Sequence, residues 1–224
     1  MRTLIAFAAT LAVALPATAQ DADRTDAGGG ISVEGWHGRV DRRPASQGRT
    51  VNDSKLRMED GALRLSVGPA GNFWNPAHTA RGNYEVKATF KEHKMAAAHP
   101  HSYGIFIGGA DLESDTETLM YCIAYGNGTY SVKTFHGANV QTLVDRAATT
   151  ALRAADANGE STNEIGWRVA DGRASCVING TAVRTFERSE VVAADKLKST
   201  DGIYGLRASH NLELTVSGLS AVQR

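Results

Sequence analysis

The chain has no charge bias, little cysteine and no long hydrophobic run past its first residues. Its 24 lysines and arginines balance 24 aspartates and glutamates. No net field is left to attract nucleic acid or an anionic membrane, so neither is expected as a partner. After residue 15 no apolar stretch is long enough for a transmembrane helix. Nucleophile signatures are also missing. There is no Gly-x-Ser-x-Gly elbow, no phosphate-cradling glycine loop and no dinucleotide fingerprint.

What is present begins at the N-terminus. Arg2 precedes an apolar run over residues 4–15, Pro16 breaks it, and Ala17-Thr18-Ala19 offers small residues at signal-peptidase positions. This reads as a signal peptide over residues 1–19, too short to span a bilayer. No cysteine sits at the expected cleavage site, so no lipid anchor is indicated. Residues 20–30 (QDADRTDAGGG) are polar and glycine-rich and read as a flexible leader. Residues 31–224 suit a single domain. The expected location is periplasmic or secreted.

Export makes a Cys122–Cys176 disulfide feasible. Both cysteines fall in apolar strands of unknown neighbourhood, so the alternative of two small buried hydrophobes stays open. Those surroundings disfavour a reactive thiolate.

Period-two patterns dominate the rest. Residues 55–58, 62–67, 84–90, 103–107, 119–125, 130–135, 164–169, 174–178, 181–186, 203–208 and 212–216 each read as a short strand. Asp60-Gly61, Gly126-Asn127-Gly128, Asp171-Gly172 and Asn179-Gly180 punctuate them as hairpin turns. Two of three glycosylation sequons coincide with such turns and are set aside. Residues 139–155 and 189–197 could be helix or loop. The pattern predicts an all-β sandwich or barrel.

Residues 82–90 (GNYEVKATF), 102–108 (SYGIFIG), 177–180 (VING) and 201–207 (DGIYGLR) carry a likeness. In this order they resemble concanavalin A-like jelly rolls, in particular the DUF1080 or 3-keto-disaccharide hydrolase-like group, and more distantly laminin-G domains. The likeness spans roughly residues 35–222. It implies two stacked antiparallel sheets, one concave, with carbohydrate bound across the concave face. The Tyr-Glu-x-Gln strand common in the hydrolase-like group has no counterpart here.

Three clusters are candidates for chemistry. Glu113, Asp115 and Glu117 would share one face if they lay on a strand, a spacing similar to the Glu-x-Asp-x-Glu motif of family 16 glucanases. Ser114 and Thr116 between them are polar, so an acidic loop is the simpler reading; catalysis and a structural calcium site are the alternatives. His99 and His101, with His93 nearby, lack an evident third zinc ligand. His78, His136 and His210 are further candidates. No cofactor is expected. Sugar recognition pairs aromatic platforms with polar groups. On that basis Trp74, Asn75, His101, Tyr103, Tyr125, Arg207, His210 and Asn211 are the candidate ligand residues. Residues 73–76 (FWNP) read as an ordered aromatic loop. Arg207 is a charge in an apolar strand, opposite in parity to Leu206 and Ala208. Trp36 and Trp167 read as packing residues. The leading expectation is a monomeric saccharide-binding module. A glycoside or 3-keto-disaccharide hydrolase, or an adhesion domain without a small ligand, are the alternatives.

Overall fold

The structure is a computed structural model and describes residues 21–96 and 98–224. The signal peptide expected over residues 1–19 lies outside the described residues.

Fifteen strands occur among the described residues. They are β1 (Gly30–Ile31), β2 (His37–Val40), β3 (Lys55–Glu59), β4 (Ala62–Val67), β5 (Gly71–Ala80), β6 (Tyr84–Glu92), β7 (Ser102–Ala110) and β8 (Thr118–Tyr125). Then come β9 (Thr129–His136), β10 (Asn139–Ala148), β11 (Ser161–Ala170), β12 (Arg173–Ile178), β13 (Thr181–Glu187), β14 (Gly202–Ala208) and β15 (Leu212–Gln223). Two short helices, α1 (Arg42–Ser46) and α2 (Arg188–Val191), interrupt them. The strands form an eight-stranded sheet, β1-β3-β4-β15-β6-β11-β12-β13, and a seven-stranded sheet, β10-β9-β8-β7-β14-β5-β2. Every pairing is antiparallel except β1 with β3. The molecule is an all-β sandwich of jelly-roll type.

Alternation explains the layering. On β6, Tyr84, Val86, Ala88 and Phe90 point inward and are buried, while Glu85, Lys87 and Thr89 are partly exposed. A strand covered on one face requires this period. Trp167 is fully buried, and its Nε1–H donates to the Ile105 carbonyl at 3.1 Å, tying β11 to β7 across the layers. Cys122 on β8 and Cys176 on β12 form a disulfide between the same two sheets. Trp36 is partly buried against the core and meets His78 edge-on, with ring centroids 5.7 Å apart.

The turn dipeptides behave as two-residue hairpins demand. Asp60 and Gly61 have φ of 51° and 76°, Asp171 and Gly172 51° and 74°, and Asn179 and Gly180 48° and 80°. Two consecutive positive φ values mark the type I′ turn.

Three expectations are corrected. Residues 139–148 form β10, not helix; register shifts between Thr142, Val144 and Ala147 break its alternation and hide the strand in the sequence. Residues 189–197 hold only the end of α2, then an irregular stretch with a Val192–Leu197 bridge. The FWNP segment lies in β5, not in a loop. Apart from these, residues 21–30 carry specific bonds to the sandwich. The Arg24 Nη2 donates to Ser66 Oγ at 2.8 Å, the Leu212 carbonyl at 2.7 Å and Glu213 Oε1 at 2.6 Å.

Candidate functional site: the outer face of the seven-stranded sheet

Register places two rows of side chains on this sheet's outer face. One row runs His37, Trp74, Gly205, Phe106, Tyr121, Lys133 across β2, β5, β14, β7, β8 and β9. The neighbouring row runs Arg39, Asn72, Arg207, Gly104, Ile123, Ser131. Trp74, Phe106, Leu112, Leu119, Tyr121, Ile123, Tyr125 and Phe135 join into an apolar cluster separate from the inter-sheet core. Gly205 makes room for it. A Cβ there would lie 2.7 Å from two atoms of the Phe106 ring and 2.5 Å from the Phe73 carbonyl oxygen. Trp74 stacks on His37, with centroids 5.9 Å apart and planes 24° apart.

Arg207 is the charged centre. Its guanidinium donates twice to Asp41, at 2.5 and 2.6 Å, and once to Asn72 Oδ1 at 3.4 Å. It lies 5.2 Å from the Tyr121 ring centroid and 5.7 Å from that of Phe135. Burial works against its charge, but Asp41 outweighs burial and raises its pKa above the ordinary arginine value. Burial pushes the Tyr121 hydroxyl up to about 12, so it stays neutral and able to donate.

The acidic segment is a loop between β7 and β8, as expected. It is strapped to β2 and α1. His37 Nδ1 lies 2.7 Å from Glu113 Oε1, Arg39 reaches Asp115 at 2.6 Å and Glu117 at 3.4 Å, and Arg42 lies 3.5 Å from Asp115. Off a strand, the three acids lose the alternation that would aim them at one face. Glu117 is buried, which pushes its pKa upward against the opposing pull of Arg39. Leu112 of this loop packs on the aromatic cluster. Between loop and sheet lies a depression of about 410 Å³ lined by Trp74, Pro76, Asp111, Glu113, Thr116 and Ile203, among others. Among the described residues no group of three or more His, Cys, Asp or Glu is arranged to hold a metal ion. His93 is bonded to Thr215 at 2.8 Å, and His136 to the Lys196 carbonyl at 3.0 Å, far apart in the sheets.

The structure sorts the expected ligand residues into three groups. Trp74, Tyr125 and Arg207 share the outer face. His101, His210 and Asn211 gather at one end with residues 21–24. The His101 and His210 rings meet edge-on at 4.3 Å, and Asn211 accepts from the Arg24 N–H at 2.9 Å and donates to Asp21 Oδ2 at 3.0 Å. The remaining two lie apart from both groups. Asn75 sits against Gly35 and accepts from the Ala77 N–H at 2.9 Å, a local turn contact. Tyr103 points inward, fully buried, because its parity on β7 matches Ile105 and Ile107. Its hydroxyl is 2.9 Å from Ser161 Oγ.

That interior corner also holds Glu92, with no exposed surface. Its Oε2 accepts from Ser161 Oγ at 3.4 Å, and its Oε1 has no partner. Burial raises its pKa from 4.5 to about 7. The folded state therefore holds this proton where the unfolded chain has lost it, so Glu92 costs stability as pH rises through that window. Relative to wild type, Glu92→Gln is expected to gain on the order of 3 kcal/mol between about pH 4.5 and pH 7. Urea midpoints of both proteins at pH 4.5 and 8 check this, since their difference isolates Glu92 from the histidines. A constant difference would rule it out.

Sequence reasoning missed His37, Arg39, Asp41, Asn72 and Phe106. Only Phe106 left a signal, its opposite parity to Ile105 on a recognised strand.

Fold and face together define a concanavalin-like jelly roll. No protein-family model matches the chain, and no curated protein matches it. Solved structures do. A carbohydrate-binding module, CBM66 from Bacillus subtilis, superposes with a TM-score of 0.57 at 7% identity, covering 86% of this chain and 98% of that one. A GH16 protein of the Bacteroides ovatus mixed-linkage glucan locus, in complex with its product, gives 0.56 at 8% identity over 84% and 94%. A Bacillus subtilis protein of unknown function with a galectin-like fold gives 0.55 at 16% over 84% and 90%. At these identities the likeness is one of fold.

Proposed function

We propose that this chain is an exported saccharide-binding module whose ligand lies along the outer face of the seven-stranded sheet. The observation that carries this is the depression where Trp74, Pro76 and Ile203 meet Asp111, Glu113 and Thr116. Apolar lining beside polar groups suits a sugar, which offers C–H faces and hydroxyls together. The carbohydrate-binding and GH16 folds among its structural neighbours are consistent with this reading. Binding without cleavage is favoured because Glu113, Asp115 and Glu117 are engaged by His37, Arg39 and Arg42. Kinship with the DUF1080 group, and with it the hydrolase alternative, rests on the four matching segments. Export to periplasm or medium rests on the signal pattern of residues 1–19 and suits the disulfide.

A glycan array probed with the purified protein is expected to give saccharide hits that remain uncleaved on prolonged incubation. Thr116→Trp, which fills the depression from an exposed loop position, is expected to weaken those hits roughly tenfold, about 1.4 kcal/mol. An array without hits sinks the reading, and cleaved hits replace it with the hydrolase.

A further inference from the structure

At the end of the sheet a second hollow, about 210 Å³, opens between His99, His101, His210 and Arg146, with Asp21 at its rim. It adjoins the aromatic face. The Arg146 guanidinium carbon stands 4.3 Å from the Tyr125 ring centroid, and the Arg146 N–H donates to Ser131 Oγ of the outer row at 2.9 Å. Arg146 is exposed and has no carboxylate partner among the described residues. His101 is 94% buried within this hollow, yet its Nε2 has no hydrogen-bond partner. A buried imidazole nitrogen left unpaired is costly unless something else satisfies it.

The chain itself shows what that something is. The Asp21 carboxylate lies 3.8 Å from His101 Nε2, half exposed and held by the Asn211 amide at 3.0 Å. Asp23 stands in the same relation to the neighbouring ring, 2.9 Å from His210 Nδ1. Carboxylates thus approach both imidazoles, and neither makes a well-formed hydrogen bond to them.

We propose that this hollow is an anionic subsite, and that the saccharide carries a carboxylate, as a uronate does. The proposal rests on the saccharide reading above. In it the uronate carboxylate displaces Asp21, takes the Nε2–H of His101 and pairs with Arg146, whose guanidinium covers the Tyr125 ring. A planar guanidinium with two parallel donors recognises a carboxylate in both orientation and charge.

The test is an array carrying oligogalacturonate, oligomannuronate and hyaluronan fragments, each beside its methyl-esterified, uncharged form. Affinities for any hit are then measured by calorimetry. The expected result is a preference for the acid over its ester of roughly tenfold or more. Arg146→Gln, an exposed substitution that leaves the core intact, is expected to remove that preference. Asp21→Asn is expected to raise affinity for the acid several-fold by removing the internal competitor. Equal binding of acid and ester overturns the subsite and leaves the saccharide reading standing. A preference for acid that survives Arg146→Gln overturns its placement. No binding to any sugar, charged or neutral, overturns both.

Discussion

Asp41→Asn is expected to destabilise the protein by about 3–5 kcal/mol, the cost of leaving a buried charge without its partner. Arg207 is only 6% exposed and relies on Asp41 for both of its short hydrogen bonds. The aromatic rings of Tyr121 and Phe135 lie against the guanidinium and cannot replace a carboxylate. Paired removal should behave differently. Arg207→Met with Asp41→Leu replaces the ion pair with apolar groups and is expected to recover most of the loss. The exposed Lys198–Asp111 pair supplies the scale, with side chains 56% and 44% exposed. Breaking it should cost no more than about 1 kcal/mol. Urea denaturation of the three variants beside wild type forms the check, and an Asp41→Asn loss as small as that of the Lys198–Asp111 pair would refute the account. The same variant should also weaken ligand binding, since Arg207 supports the middle of the face.

Local pattern carried the strands, and pairing carried the site. All eleven strands expected from alternation occur, because a half-buried strand needs period two and a tight hairpin needs Asp-Gly or Asn-Gly. The four that were not expected break one of these rules. β10 carries two register shifts. β5 contains Pro76, which lacks a ladder donor and falls where the pairing with β14 slips between Trp74 and Thr79. β1 and β2 are too short to show a period.

The site divides the same way. Arg207 stands out in the sequence as a charge in an apolar strand, but its partner lies 166 residues away. Nothing local points to Asp41. Tyr103 has the chemistry of a ligand residue, but its parity with Ile105 and Ile107 places it inward. His37 reached the stack with Trp74 only through β2–β5 register, which neither strand encodes alone. A face built from rows across six strands is a property of the sheet order, so single-strand reasoning finds some members and misses their neighbours.

Removing the disulfide is the other large effect expected. Cys122 and Cys176 are separated by 54 residues, and closing a loop of that length restricts the unfolded chain by about 4 kcal/mol in the chain-entropy description. The double variant Cys122→Ala, Cys176→Ala should lose about that much, plus a smaller term for the missing sulfur atoms in a fully buried site. Reductant offers an internal control: it should lower the urea midpoint of wild type toward that of the double variant and leave the variant unmoved. A variant as stable as oxidised wild type would mean that the core alone holds the two sheets together. The same bond connects stability to compartment. Protein recovered from an oxidising space should show no titratable thiol, and protein trapped in the cytosol by deletion of residues 2–19 should show two. If the cytosolic form is less stable by the amount the double variant loses, the fold reaches full strength only after export, which is where a module meeting external saccharides would need it.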